Sequence, residues 1–441
     1  SELRKSPVLT GVASLFQMHF CVLLCYNTDS YFKNRVQARS NPCNHFFGIL
    51  TFRKSLLIMK TYYPSYYKNF ICIADKCPIT CCQEWNIGVD DTTYDRWCRT
   101  APPNDMPHLH KVLSDYTSLR EHQHIITLNE EKKCPFLCEN KLCRLVLHHG
   151  DDILSETCTM FPREYHHFAT HTEASLMPGC PAVLDLWQMQ PQLLFPKISE
   201  IVTLSPEEQF LFQVRDHILQ IIQCPDYSPE LSLLESFYIL SELPTTALSG
   251  ILLADYFSTE TQAQLSAAIT NMEFSTEDML YECNELLQDL AVNYQKEGLY
   301  EEFLTPLLNL AGSISTNTYP ADLCQKWKLF RAHWNKHAPL LRAFLSNEIF
   351  ADLLLPDNDL NGMLIHLQWI GMEYAAIRYS IFLSWLLSGE HTLTYNDIRD
   401  AIVILTRMTG YEDDDIYEYL ENSFESLYWE WGYFAMILAD V

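Results

Sequence analysis

The chain has 441 residues, 48% of them hydrophobic and 20% charged, so it can bury a large core and does not have the composition of a disordered polymer. Its formal charge of −26 argues against nucleic acid as a partner, because phosphate binding needs a concentrated basic surface and no basic run is present. An acidic surface suits a basic partner, such as a lysine-bearing protein.

Residues 1–58 differ in kind from the rest, with seven Lys and Arg against Glu2 and Asp29. Met59 opens MKTYYPSYYKNF, which reads as a natural start, so residues 1–58 are expected to be an upstream extension that contributes nothing to function. The apolar stretch Leu9 to Tyr26 is interrupted by Gln17 and His19 and is followed by no small-x-small cleavage site. It is read as neither a signal sequence nor a membrane span, and a cytoplasmic protein without membrane association is expected.

From Thr61 to Ile87, Pro64, Pro78 and the clustered cysteines favour turns and short extended pieces over helix. DDTTYDRWCR (Asp90 to Arg99) reads as a capped helix start, because a short oxygen-bearing side chain accepts the free N–H groups of a first turn. Residues 100–125 are expected to be a loop and then a helix around Leu109 to Leu119. LCRLVLHHG (Leu142 to Gly150) predicts a short helix stopped by Gly150, and DILSETCTMFPR (Asp152 to Arg163) a short turn or helix that Pro162 ends.

Beyond Leu184 the pattern is helix after helix. In LSPEEQFLFQVRDHILQIIQ, Ser205 caps, Pro206 sits in the first turn, and Phe210, Leu211, Val214, Ile218 and Ile221 recur at helical spacing. LSLLESFYILSEL, FSTEDMLYECNELLQDLAVNY, APLLRAFLSNEIFADLLLP, MLIHLQWIGMEYAAIRYSIFLSWLLSG and LTYNDIRDAIVILTRMTGYEDDDIYEYLENSFE carry the same stripes. The acids from Glu412 to Glu421 suit the positive end of a helix. The fold expected is mostly α: an irregular cysteine-rich N-terminal cluster-binding region (59–190) packed on a C-terminal all-α helical body (191–441).

The chemistry lies in the cysteines, ten of whose sixteen fall between Cys72 and Cys180, beginning with the run C-x4-C-x3-C-C in CIADKCPITCC. Adjacent Cys81 and Cys82 are poorly placed for a mutual disulfide, and a chain this long does not need a disulfide framework, so reduced, metal-binding thiolates are favoured. No pair of C-x2-C knuckles is present, so the spacing suits an iron–sulfur cluster better than a zinc ribbon. Cys21, Cys25, Cys43, Cys98, Cys224, Cys283 and Cys324 are read as small buried hydrophobes. His148, His149, His166, His167 and His171 are read as surface or core groups, and Trp85 as core. No glycine pair forms G-x-G, and no P-loop, H-E-x-x-H or G-x-S-x-G occurs, which removes conventional nucleotide-fold catalysis.

The string FICIADKCPITCCQEWNIGVD (Phe70 to Asp90), followed by CPFLCENKLCRLVLHHG, LSETCTMFPRE and EASLMPGCPAV, resembles in order and spacing the flagellin lysine-N-methylases of bacteria. The likeness continues at LLRAFLSNEIFADLLLP and EYAAIRYSIFL and spans most of residues 59–441. It implies methylation of surface lysines of flagellin, with a [4Fe-4S] cluster in the enzyme and S-adenosylmethionine as methyl donor. The family's cysteines map onto Cys72, Cys77, Cys81, Cys82, Cys134, Cys143, Cys158 and Cys180. Two positions depart from the pattern: Cys138, where a polar residue is expected, and Glu84, where a glycine often precedes the tryptophan. Which four cysteines bind the cluster stays open.

Cys77-x3-Cys81 has no third cysteine at position 84, so the C-x3-C-x2-C of common radical enzymes is missing and a radical route is not supported, the choice between radical and polar methyl transfer staying open. A lysine nitrogen needs for the polar route only a site that lowers its pKa and a group or water to take its proton. Arg163 is the candidate to hold the donor's carboxylate, by its two-pronged geometry, unless it pairs internally with Glu164 or Asp90. Tyr165, Asp90 and Glu173 are the candidates to serve the amine. The alternative is a non-enzymatic protein whose cysteines chelate zinc or iron only to hold the fold.

Overall fold

In a computed structural model of the protein, the residues described are 59–441 apart from 107–109, 121–122, 191, 244–249, 317–320, 411–412, 425 and 440–441. The expected upstream extension, 1–58, lies outside them, as do Cys21, Cys25 and Cys43. Lys60–Tyr411 with Tyr428–Val441 forms one compact unit, and Glu412–Leu427 belongs to another. The protein is mostly α, as its apolar periodicity requires.

The cysteine-rich part of the main unit is made of short pieces. Strand β1 (Thr61–Tyr62) leads into two single 3-10 turns, Tyr67–Asn69 and Ala74–Lys76, and then strand β2 (Gly88–Val89). Helix α1 (Asp91–Trp97) starts where the sequence placed it: the Asp90 carboxylate accepts from the Thr93 amide at 2.9 Å.

The helix expected around Leu109 to Leu119 is not formed by its described residues. A 3-10 turn, Leu113–Tyr116, passes directly into strand β3 (Thr117–Arg120), which pairs antiparallel with β4 (Gln123–Ile126), and β4 pairs in turn with β2. Only one turn's worth of apolar spacing is present, and Ile125 and Ile126 bury better by cross-strand pairing than on a helix. Trp97, Tyr116, Ile126, Phe136 and Leu145 then close a small apolar core, with the Trp97 indole N–H bonded to the Ile153 carbonyl at 2.9 Å.

Helix α2 (Arg144–His149) stops at Gly150, whose φ of 81° lies in the region only glycine enters freely. Helix α3 (Glu156–Met160) is capped by Ser155 and precedes Pro162. Strands β5 (Arg163–His167) and β6 (Thr172–Leu176) form an antiparallel hairpin, extended by β1 running parallel to β6. Every residue of β6 is buried.

The helical body opens with α4 (Pro181–Met189), α5 (Ile198–Ile201) and α6 (Pro206–Gln223). Ser205 and Glu208 form a reciprocal capping box at α6, as its sequence predicts. Next come α7 (Pro229–Glu242), α8 (Gly250–Tyr256), α9 (Thr259–Thr270), α10 (Thr276–Glu297) and α11 (Glu301–Thr316). They are followed by α12 (Ala321–Trp334), α13 (Ala338–Ala351), α14 (Leu360–Leu387), α15 (Tyr395–Thr409), α16 (Asp413–Phe424, in the second unit) and α17 (Trp431–Leu438).

Helix α14 is the axle of the main unit. It is 28 residues long and apolar on all sides, the signature of a helix surrounded by protein, and it packs on α7, α10, α11, α15 and α17. Gly371 lets α17 approach closely, since a Cβ there would lie 2.3 Å from the Phe434 ring. The buried Arg378 of α14 is neutralised by Glu230 at 3.5 Å, and that carboxylate also accepts from Trp334 and Tyr374. Helix α13 joins the two regions, packing on α4, α6 and β6.

Candidate functional site

The cysteines are set by the turns that the sequence makes around them. Cys77, Cys81 and Cys82 lie in the loop before β2, and the Cys134 amide donates to the Cys82 carbonyl at 2.8 Å, fixing the next cysteine segment against that loop. Cys138 and Cys143 flank a tight turn closed by the bond from the Cys138 amide to the Leu142 carbonyl. Cys143 immediately precedes α2, Cys158 stands in α3, and Cys180 immediately precedes α4. Several sulfurs receive backbone N–H groups: Cys134 from Phe136, Cys143 from Leu145 and Val146, and Cys180 from Ala182 and Val183. Amides aimed at sulfur stabilise thiolates and tune clusters bound to them.

These sulfurs share one electrostatic neighbourhood centred on Cys81. The Cys81 thiol is hydrogen-bonded by Cys82 and acts on Cys77, Cys134, Cys158 and Cys180. It also acts on Cys143, while Cys72 acts on Cys77 and Cys138 acts on Cys143. Seven of the eight cysteines singled out in the sequence are thus neighbours through Cys81, while exposed Cys72 reaches the set only through Cys77 and Cys138 only through Cys143. Cys98 is not part of this set and is exposed, which corrects its reading as a buried hydrophobe; Cys283 is buried as expected.

Within the set two groups are distinguishable. Cys82, Cys134, Cys143 and Cys158 pack against the small apolar core. Cys77, Cys81, Cys180 and exposed Cys72 are not part of that core; Cys77 and Cys81 act on Cys180, and Cys72 and Cys81 on Cys77. Burial pushes the thiols of Cys158 and Cys180 up to about 11 and about 12, and raises those of Cys77, Cys82, Cys134 and Cys143, with the Cys81 hydrogen bond the leading cause at Cys82. Cys81 alone runs the other way, to about 7, first because Cys82 donates to it and also because Arg407 is near. Among the described residues no three cysteine sulfurs lie within 4.8 Å of one another. Bonds of 2.3 Å from one tetrahedral zinc would hold them about 3.8 Å apart, so this arrangement is wider than a mononuclear site.

Arg407 on α15, which has no mark in the sequence, is the residue that ties the helical body to the cysteine loop. It is 5% exposed, and its guanidinium donates to the carbonyls of Gly179 (2.8 Å), Thr80 (3.2 Å) and Ile79 (3.1 Å) and to the Tyr300 hydroxyl (2.8 Å). Its face covers the Trp85 ring, which is half-buried and also packs on Phe161 rather than in the core. Every one of these hydrogen-bond partners is neutral, so among the described residues no carboxylate is bonded to this cation. Buried charges need compensation, and the groups able to carry negative charge on which Arg407 acts are Cys77, Cys81 and the Glu84 carboxylate.

The other predicted residues are placed as follows. Arg163 lies over the Phe70 ring at 5.3 Å, near Tyr67, and is in no ion pair with Glu164 or Asp90. Tyr165 shares a hydrogen bond with Tyr67, hydroxyl to hydroxyl, at 2.7 Å. Arg163 and Tyr165 thus share one face of β5, as strand alternation dictates. Asp90 is occupied as a cap, its second oxygen accepting from the Glu156 amide, and these amides hold its carboxyl below its usual range against the cost of burial. Glu173 forms a buried two-pronged ion pair with Arg215, both contacts 2.6 Å, with His171 beside it. On the opposite face of β5, Glu164 and His166 meet Asp352 with ligating atoms within 4.8 Å, a group able to hold a cation.

A model of the FliB lysine N-methylase C-terminal domain matches residues 215–437, half of the chain. The chain belongs to the FliB lysine N-methylase family. The matched region includes Arg407 and the whole of α14, but not the cysteine segment, whose placement rests on the geometry above. Two lysine-N-methylases, from Salmonella choleraesuis and Salmonella typhimurium, are each 25% identical over 173 residues, 36% of this chain and 40% of the relative. The flagellar biosynthetic protein FliU of Salmonella muenchen is 29% identical over 127 residues, 27% of this chain and 72% of that protein. The chain therefore spans less than half the length of the two lysine-N-methylases it matches. No solved structure matches it.

Proposed function

We propose that this protein is a protein lysine N-methyltransferase that modifies flagellin, with S-adenosylmethionine as donor and a [4Fe-4S] cluster held by its cysteines. The observation that carries the reading is the gathering of six thiols, Cys77, Cys82, Cys134, Cys143, Cys158 and Cys180, around Cys81 in a chain of this family. The residues fit the group: soft sulfur ligands, backbone N–H groups directed at them, and a buried Arg407 whose charge matches a thiolate-bound cluster. On the Arg407 side the ligands would be Cys72, Cys77, Cys81 and Cys180, leaving Cys82, Cys134, Cys143 and Cys158 to the apolar core. When bound, the cluster supplies a fixed platform that orients the donor.

The chain's own part is to bring the amine in, exclude water and take a proton. A neutral lysine nitrogen attacks the donor's methyl carbon; the C–N bond forms as the S–C bond of the sulfonium breaks, leaving a thioether, and the new ammonium passes its proton to water or a nearby carboxylate. Arg163, resting on Phe70 with no ion partner among the described residues, remains the proposed holder of the donor's carboxylate, with Tyr165 beside it. No helix among the described residues is long and apolar enough to cross a membrane. We place the protein in the cytoplasm, where thiols stay reduced.

The test is incubation of anaerobically loaded protein with S-adenosylmethionine and unmodified flagellin. Lysine peptides should gain increments of one methyl group by mass spectrometry. Cluster-replete protein that leaves flagellin unmodified would favour a purely metal-binding role.

A further inference from the structure

Beside the cysteine loop lies an open cleft with a cavity of about 170 Å³, to which Ile79, Thr80, Glu84, Tyr300, Glu302 and Ile404 contribute. We propose that this cleft is the subsite that receives the substrate lysine, its stem lying on Ile79 and Ile404 and its ammonium between the carboxylates of Glu84 and Glu302. The proposal rests on the methylase reading for the identity of the substrate and on the cleft itself for the chemistry.

Three observations carry it. The lining is amphipathic in the way a lysine is, with the aliphatic Ile79 and Ile404 beside two carboxylates, Glu84 and Glu302, so stem and head group both find partners. Glu84 and Glu302 both line the cleft and neither is in an ion pair among the described residues; Glu84 accepts from the Gln83 amide at 3.3 Å and feels Arg407 as well as Glu302, and an ammonium between the two carboxylates adds a direct counter-charge. The cleft also adjoins the thiols. Its Ile79 and Thr80 lie between Cys77 and Cys81, and Tyr300 receives the Arg407 hydrogen bond and feels the charge of Cys81. The carboxylates favour the ammonium, so the bound lysine first passes its proton to Glu84 or Glu302, and the neutral amine then meets the proposed cluster and donor.

The backbone agrees. Glu84 (φ 54°) and Tyr300 (φ 51°) both line the cleft in the left-handed region, where glycine sits without strain and other residues do not. A carboxylate kept at such a position points to a role for the side chain, since the fold would prefer its removal.

The experiment compares the full chain with Glu84→Gln, Glu302→Gln, the double variant and Glu84→Gly. Binding of a fluorescent lysine-containing flagellin peptide is measured beside the same peptide with norleucine in place of lysine. Wild type should prefer the lysine peptide by about tenfold, a difference typical of one partly buried ion pair, and the double variant should lose the preference. Glu84→Gly should lose selectivity while unfolding in urea no earlier than wild type, which separates recognition from folding. In methylation assays KM should rise with iron content unchanged. Equal binding of both peptides by wild type, or an undiminished preference in the double variant, overturns the subsite. Selective binding with no methyl transfer by wild type would sustain the subsite and sink the methylase reading instead.

Discussion

Arg407→Met keeps most of the volume of the side chain and removes its charge and all of its donors. Four hydrogen bonds disappear, three of them to carbonyls of Ile79, Thr80 and Gly179 and one to Tyr300. Each hydrogen bond from a charged group contributes about 1.5–3 kcal/mol, but the losses do not add, because the Ile79 and Thr80 carbonyls border the open cleft and regain water. The expected destabilisation is about 3–5 kcal/mol, comparable to breaking a buried charged contact. Arg407→Lys keeps the charge but cannot reach four acceptors in the same geometry, and should lose about 1–3 kcal/mol. Urea unfolding followed by tryptophan fluorescence reads both. Hydrogen exchange should show the Cys81 and Cys82 amides opening first in the methionine variant, and iron should be retained less well in it than in the lysine variant. If Arg407→Met unfolds within about 1 kcal/mol of wild type, a typical surface-substitution effect, the guanidinium does not clamp the cysteine loop and the reasoning fails.

Three further outcomes are expected. Gly371→Ala places a Cβ 2.3 Å from Phe434 and should destabilise the protein by about 1–3 kcal/mol, a loss that Phe434→Leu in the same chain should partly recover in thermal unfolding. Burial pushes the Glu235 carboxyl up to about 7 against the bond from Ser266, and the carboxyl is fully buried. Its folded value lies above the unfolded one of 4.5, so its contribution is complete below that pH and is lost as pH rises through about 7. Glu235→Gln should accordingly approach wild-type stability near pH 4.5 and exceed it by up to about 3 kcal/mol above pH 7; a constant difference across that range would count against the assignment. Finally, Cys81→Ala should abolish iron retention with little change in the unfolding midpoint of the metal-free chain. Cys134→Ala, inside the apolar core, should instead lower metal-free stability by about 1–2 kcal/mol, measured by urea titration.

Much of the scaffold is legible because its signals are local. Ser205 and Pro206 announce α6, Asp90 announces α1 and Gly150 ends α2, each through the unpaired amides or the backbone conformation of a helix end. The β3–β4 and β5–β6 hairpins are not legible in the same way. Their pairing depends on a neighbour, and β6, buried on both faces, offers no alternation to read. The cysteine set is visible in spacing alone, yet its two groups emerge only when Cys82, Cys134, Cys143 and Cys158 are seen against one core. Arg407 could not be found, since 326 positions separate it from Cys81 and an arginine in an amphipathic helix has no mark of its own. Glu84 is the instructive case: the absence of glycine before Trp85 is visible in sequence, and only the φ of 54° shows that the backbone there is of the kind glycine prefers.

The most direct measurement is the iron and acid-labile sulfide content of the full chain purified and reconstituted without oxygen, with Cys81→Ala prepared in parallel. The account predicts brown protein with about four irons and four sulfides per chain, as one [4Fe-4S] centre requires, and neither in the variant. Colourless protein that carries zinc and no labile sulfide would contradict it.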